Sequence, residues 1–269
     1  MRGRSSVLLA VVCSSIACSS SKSDPSTNDA SVCTKVAAPI DWPSSIARSI
    51  DALTADGFVV QKGVLRFFRV DDCKDLDNCF GNNPSSPYGF YCLPPSPGSN
   101  PVASLVDKIC PDGLKPTWTM REDEAIVFLG RTAPNARYLG FRSYLFSRLE
   151  ASGSRKDLFA SLGDSINQLT IQTSGTACGG KGSAFDADVA IVTTADRALD
   201  QKLRGTLDHA GIPSSIVNSD AVPRALVKMG TGSSVGDDAD ALAMLYRVAL
   251  IQDASAGEKY LQGDQVTVL

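Results

Sequence analysis

The chain has 269 residues, a formal net charge of −3 and 43% hydrophobic residues, which is typical of a globular protein with one large domain or two small ones. A general nucleic-acid-binding protein needs a basic face, so the acidic balance predicts no nucleic-acid partner. No apolar run reaches the roughly 18 residues of a membrane-spanning helix, so we expect no such helix.

The N-terminus has the layout of an export signal, because residues 1–4 are basic and residues 5–12 form a short apolar core. Small residues then precede Cys18. With a cysteine at the cleavage point, this segment resembles the signal of bacterial lipoproteins. The resemblance implies that residues 1–17 are removed and that Cys18 carries a lipid, which would anchor the protein in the bacterial cell envelope. An ordinary secretory signal cut near Ala17, leaving a soluble secreted protein, is the alternative.

The segment that follows Cys18 predicts a flexible tether. Residues 19–31 contain no large apolar side chain and cannot bury a core. We therefore expect a lipidated cysteine and tether over residues 18–40, and a single globular domain over residues 41–269.

The cysteines fit an exported protein. Of the eight, Cys13 lies in the signal and Cys18 would carry the lipid, which leaves six: Cys33, Cys73, Cys79, Cys92, Cys110 and Cys178. An even number in an oxidising compartment indicates three disulfides, with the pairing left open. Buried free thiols are the alternative. The chain has no CxxC pair and a single histidine, so we expect no metal site and no cofactor.

The first half of the domain predicts a helix, two strands and a long loop. Residues 41–57 predict the helix, since Pro43 suits its start and Gly57 its end. Residues 58–61 and 64–70 predict strands that could form a hairpin.

Residues 71–116 carry many prolines and four of the six cysteines, and this combination indicates a disulfide-stapled loop. A binding loop for a small molecule or a protein is the alternative. In that case Asn82, Asn83 and Tyr88 would offer amide and aromatic contacts to the ligand.

The remaining chain predicts a sheet with helices packed on it. Buried strands at residues 125–129 and 137–146 form the expected centre of the sheet. The other predicted strands are 168–173, 188–194, 213–218 and 225–229, and the predicted helices are 154–163, 195–210 and 237–250. The fold class that follows is α/β or α+β, with one mixed-sheet domain, a C-terminal βαβ unit and the stapled loop as an insertion.

One short motif suggests chemistry. Leu162-Gly-Asp-Ser165 resembles the motif of GDSL-type hydrolases, which implies Ser165 as nucleophile, Asp164 beside it and His209 as the base. The alternative is that Gly163 ends a helix, Asp164 and Ser165 shape a turn, and His209 interacts with the dipole of its own helix.

A candidate ligand-binding residue lies where a strand meets a helix. Asp196 follows the strand at residues 188–194, and ligands often bind at the carboxyl ends of strands in such sheets. Capping of the helix is the alternative role. The acidic cluster at residues 122–124 is interpreted as a solvated turn. Together these patterns favour an exported protein that binds a ligand or partner, with an exported serine hydrolase and a structural surface protein as alternatives.

Overall fold

The computed structural model describes residues 39–75, 83, 85–99, 101–176, 182–231 and 238–269. Several predictions fall outside these ranges and stay predictions: the signal peptide, Cys18, the tether up to residue 38, Cys33, Cys79, Asn82 and Cys178. Residues Ala37–Leu269 form one compact unit. None of the helices in the described ranges is long and apolar enough to cross a membrane.

The elements of this unit establish an α+β fold, which confirms the predicted class. The helices in the described ranges are α1 (Trp42–Ala55), α2 (Arg197–His209) and α3 (Ala254–Tyr260). The strands there are β1 (Val64–Phe67), β2 (Tyr88–Cys92), β3 (Ala125–Arg131), β4 (Ala136–Leu149), β5 (Arg155–Ser161), β6 (Ile166–Asn167), β7 (Asp188–Thr194), β8 (Val217–Ala221), β9 (Ala241–Ile251) and β10 (Val266–Val268). These strands are divided between two sheets, where the sequence predicted one.

The larger sheet is antiparallel throughout. Its strand order is β1-β2-β9-β4-β5, and β6 pairs with the free side of β4. The long central strands β4 and β9 pair from Ala136 opposite Ile251 to Ser147 opposite Ala241. Because side chains alternate along a strand, one face of this sheet points into the core and the other points outward.

The smaller sheet has the order β10-β3-β7-β8. Strands β7 and β8 are parallel and α2 connects them, so the predicted βαβ unit is confirmed. Asp196 is the N-cap of α2, since its carboxylate accepts a hydrogen bond from Leu199 N–H at 2.7 Å.

The two sheets pack face to face on an aromatic core. Phe128 from the smaller sheet and Phe141 and Tyr246 from the larger one lie in a single buried cluster. The rings of Phe141 and Tyr246 stack with centroids 4.0 Å apart, and Phe128 meets Phe141 edge-on at 5.0 Å. The Tyr246 hydroxyl accepts a hydrogen bond from Ala133 N–H at 3.0 Å, so the polar end of this buried ring is satisfied.

Helices cover the other face of the smaller sheet. Val127 and Leu129 of β3 alternate with its core-facing residues and pack in a second cluster with Leu53 of α1 and with Leu203 and Leu207 of α2. The layers are therefore helices, smaller sheet and larger sheet in that order.

The outer face of the larger sheet is partly covered by the stapled loop. Cys92, at the end of β2, forms a disulfide with Cys110 across 18 residues of sequence. Inside that loop Val106 and Ile109 pack in a third apolar cluster with residues of the sheet. The prediction of a disulfide-stapled loop is confirmed for this pair. Cys73 is disulfide-bonded as well.

Two predicted helices are wrong. The helix predicted over residues 154–163 is the edge strand β5 (Arg155–Ser161), and the helix predicted over residues 237–250 is replaced by the central strand β9 (Ala241–Ile251). Strand β9 is buried on both faces, so apolar residues fill nearly every position. Such a run matches helical spacing as well as strand spacing, and only pairing with β4 decides between them.

Several predicted strands are also wrong or displaced. Residues 58–61 and 225–229 form no strand in the structure, and β1 pairs with β2 instead of forming a hairpin with residues 58–61. Strand β8 starts at Val217, later than predicted, and β6 is a short segment ahead of the strand expected at residues 168–173. Val59, Leu169 and Leu226 in the segments predicted as strands are exposed, so their apolar side chains do not mark buried strands.

Candidate functional site

A cleft of about 420 Å³ lies beside β3 and is walled by three loop segments. These segments are residues 57–61 after α1, residues 93–97 after β2 and residues 118–124 before β3. The apolar side chains of the lining include Phe58, Val60, Leu93, Trp118, Met120 and Ile126. A concave surface with mainly apolar walls and a few polar groups is the usual form of a small-molecule site.

Arg121 organises the polar side of the cleft. Its Nη2 lies 2.6 Å from Glu124 Oε1, and its backbone N–H donates to Glu124 Oε2 at 2.7 Å. Its Nη1 donates to the Pro97 carbonyl at 3.1 Å and so ties the 93–97 segment to the 118–124 segment. Asp123 contributes a carboxylate that is 86% exposed and 3.9 Å from Arg121 Nε. The rim therefore carries one tightly held ion pair and one accessible carboxylate.

Trp118 belongs to the cleft lining, and its indole donor is unpaired among the described residues. Its backbone pairs with Leu242 in both directions, at 2.9 Å and 2.8 Å, which fixes the residue against β9. The indole is 8% exposed, and its Nε1–H has no acceptor in the part of the chain that the structure describes. The Thr117 hydroxyl is also buried without a partner there. A buried donor without a partner costs about 1–3 kcal/mol. The indole nitrogen is the one polar atom of the Trp118 side chain, and it is left unsatisfied among the described residues.

A second polar group lies between the sheets and away from the cleft lining. The Asp220 carboxylate on β8 accepts hydrogen bonds from the Ser143 hydroxyl of β4 and, at 3.1 Å, from the Thr193 hydroxyl of β7. Burial raises the pKa of Asp220, and these two hydrogen bonds oppose that rise. Burial also raises the pKa of Tyr91, with nearby Asp220 adding to the effect, and the Tyr91 hydroxyl has no partner among the described residues.

Asp220 is therefore a buried carboxyl group with hydroxyl partners from both sheets. No basic side chain is hydrogen-bonded to it in the described ranges, so it belongs to no acid–base pair there. Its hydrogen bonds to one strand of each sheet point to a structural role.

The structure does not bring the predicted catalytic residues together. Ser165 precedes β6 beside the larger sheet, and its hydroxyl accepts a hydrogen bond from Asn167 Nδ2 at 3.2 Å. His209 is the exposed last residue of α2, in the helix layer on the far side of the smaller sheet. No hydrogen bond joins their side chains among those of the described residues, and Asp164 is exposed. Nothing in this geometry favours the serine-hydrolase alternative.

The predicted ligand-binding residues lie at two different places. Asp196 caps α2. Asn83 shapes a turn, because its side-chain oxygen accepts a hydrogen bond from Ser85 N–H at 2.8 Å. Tyr88 lies on the outer face of the larger sheet, where Arg247 stacks 4.9 Å from its ring centre. None of these three residues lines the cleft.

Sequence reasoning did not identify the cleft residues. Trp118 and Met120 alternate with threonines in the run of residues 117–120, and this alternation is a signal of half-buried extended chain. The acidic cluster was interpreted as a solvated turn, and that interpretation overlooked the pairing of Glu124 with Arg121. In the described ranges no group of three histidine, cysteine or acidic side chains is arranged to hold a metal ion.

Comparison with known proteins does not assign this chain to a family. No protein-family model matches it, and no curated protein matches it. Among solved structures, an uncharacterized protein from Burkholderia cenocepacia is similar with a TM-score of 0.34 and 12% sequence identity. That match covers 77% of this chain and 36% of the other, so this chain corresponds to about a third of that protein's length.

Proposed function

We propose that this chain is a cell-envelope binding protein that holds a small ligand in the cleft beside β3. The observation that carries the proposal is the combination of apolar walls with a buried, unused indole N–H at Trp118. The proposed ligand has an apolar body that packs on Phe58 and Val60, an acceptor near Trp118 and a polar end at the rim formed by Asp123.

The test is a fluorescence titration of the mature protein with N-phenyl-1-naphthylamine, an uncharged apolar probe. We expect saturable binding to one site. Val59 lines the cleft and is 77% exposed, so Val59→Asp puts a charge at the site with little effect on folding. Binding should weaken at least tenfold, in keeping with the cost of placing a charge beside an apolar ligand.

Val64→Asp is the matched control, because Val64 is 40% exposed on β1 and lies outside the cleft lining. It should bind the probe like the unmodified protein. Equal loss in both variants, or no saturable binding at all, would contradict the proposal.

The location in the envelope rests on the N-terminal signal and on cysteine chemistry. The proposed Cys18 lipid would hold the domain at a bacterial membrane, on the periplasmic side or the outer-membrane face. The disulfide between Cys92 and Cys110 supports export, since such bonds persist mainly in oxidising compartments.

The test is metabolic labelling with an alkyne fatty acid, followed by membrane fractionation. The full chain should incorporate the label and sediment with membranes, whereas Cys18→Ala should do neither. An unlabelled full chain that sediments in the same way as Cys18→Ala would count against the anchor and leave the cleft assay unaffected.

A further inference from the structure

The outer face of the larger sheet carries a row of aromatic and arginine side chains that no part of the cleft uses. We call it the outer platform and define it by Tyr88, Tyr138, Arg142, Tyr144, Phe159 and Arg247. Strand register places these residues on adjoining positions. Gly140 of β4 lies opposite Arg247 of β9, and Arg142 lies opposite Leu245. From Tyr138 to Tyr144 the row extends about 20 Å along β4.

The rings of the platform stack on neighbouring platform side chains. Tyr144 and Phe159 stack in parallel with centroids 4.7 Å apart. Arg247 lies 4.9 Å from the ring centre of Tyr88, and its Nε donates to the Ser86 hydroxyl at 2.8 Å. Gly140 leaves room for Tyr138 to lie across the strand, because a Cβ there would collide with the Tyr138 hydroxyl.

The same residues influence one another electrostatically. Burial raises the pKa of Tyr144, Arg142 opposes the rise, and Tyr88 adds to it. A shared electrostatic neighbourhood of this kind requires the side chains to be close in space, which agrees with the strand register.

Phe159 reaches the platform at a conformational cost. Its backbone has φ = +48°, which is unusual for a bulky residue. The pairing of β5 with β4 shifts at this point, so that Leu158 and Phe159 together oppose Phe146. This β-bulge turns the ring onto Tyr144 while leaving it 50% exposed. Strained residues of this type persist where the surrounding structure holds them, and they concentrate at functional surfaces.

The charge of the platform is positive. Arg142 and Arg247 have no carboxylate partner within the described ranges, whereas Arg66, Arg121, Arg131, Arg148 and Arg204 each form an ion pair. Guanidinium groups bind carboxylates through two parallel hydrogen bonds, and flat aromatic rings stack against the C–H faces of sugars.

We infer that the outer platform binds an extended acidic polysaccharide, with its sugar rings on Tyr88, Tyr144 and Phe159 and its carboxylates at Arg142 and Arg247. A flat row of this length suits an extended chain better than a compact ligand. A single-stranded nucleic acid would also stack on aromatic rings, and oligo(dT) is the arm of the test that separates it from a sugar polymer. The inference uses no residue of the cleft and stands apart from the ligand proposed there.

The test is affinity electrophoresis of the mature protein in gels that contain polygalacturonate, its fully methyl-esterified form or oligo(dT). We expect retardation by polygalacturonate, at least fivefold weaker retardation by the neutral ester and none by oligo(dT). Arg142→Gln and Arg247→Gln should each weaken polygalacturonate binding at least fivefold, and their combination should abolish it.

Phe159→Gly separates recognition from folding, because it removes the ring and also relieves the strained backbone. It should weaken binding at least fivefold without lowering the melting temperature. Arg197→Gln, which removes an exposed arginine from α2, is the matched control and should bind normally.

The inference is overturned by three results: no retardation by polygalacturonate, equal effects of Arg197→Gln and Arg142→Gln, or stronger binding of oligo(dT) than of the sugar polymer. Equal binding of the neutral ester would likewise overturn the role given to the arginines.

Discussion

The disulfide between Cys92 and Cys110 lends itself to a quantitative test of what holds the loop on the larger sheet. The bond closes 18 residues of sequence. In the chain-entropy relation, opening a loop of that length gives back about 3 kcal/mol of conformational entropy to the unfolded chain. The double variant Cys92→Ala, Cys110→Ala should therefore unfold with a free energy about 3 kcal/mol lower, and with a larger urea dependence, because its unfolded state exposes more surface.

The assay is equilibrium urea unfolding under non-reducing conditions, followed by far-ultraviolet circular dichroism. Val106→Ala is the control, because Val106 is 2% exposed in the same loop and its truncation changes packing without changing loop closure. It should lower stability without altering the urea dependence. A loss below about 1 kcal/mol in the double variant, with an unchanged urea dependence, would refute the entropic account and assign the loop's order to its apolar contacts.

Two further predictions concern buried carboxylates. Asp240 is fully buried and accepts hydrogen bonds from Arg148 Nε at 2.8 Å and from Lys228 N–H at 2.7 Å. Arg148→Met should therefore lower the free energy of unfolding by about 3 kcal/mol, because it leaves the Asp240 charge buried without its partner. Arg224→Met, which breaks the exposed ion pair with Glu122, should lower the free energy of unfolding by less than about 1 kcal/mol. Equal losses for the two variants in urea unfolding would contradict this distinction. For Asp220, the folded state raises the pKa above the ordinary 3.8, so its contribution to stability is fully present below that value and is lost as the pH rises through the folded pKa. Asp220→Asn should therefore melt higher than the unmodified protein near pH 7 but not near pH 3, and a melting-temperature difference that is the same at both would disprove the linkage.

The parts of the fold that the sequence predicted correctly depend on local signals. Helix α1 follows from Asp41 at its cap and Gly57 beyond its end, and α2 follows from Asp196 and its leucine spacing. Strands β3 and β7 are short apolar runs that end in turns or a cap. The βαβ unit follows from these neighbours because its elements are consecutive in the chain.

The wrong predictions arose where pairing, and not local preference, sets the conformation. Strand β9 has the apolar spacing of a helix, and only its position between β2 and β4 keeps it extended. Strand β5 is an exposed edge whose bulge at Phe159 leaves no regular alternation to detect.

The candidate sites are harder to predict from the sequence than the fold is. The cleft joins residues 57–61, 93–97 and 118–124, and the outer platform joins Tyr88, residues 138–144, Phe159 and Arg247, so each combines segments that are far apart in the chain. The sequence by itself determined the capped helices α1 and α2 and the short buried strands β3 and β7, because each is encoded within a few neighbouring residues. Only the tertiary structure decided the division into two sheets, the cleft and the platform, because these depend on which distant strands pair and on which face each side chain then points to.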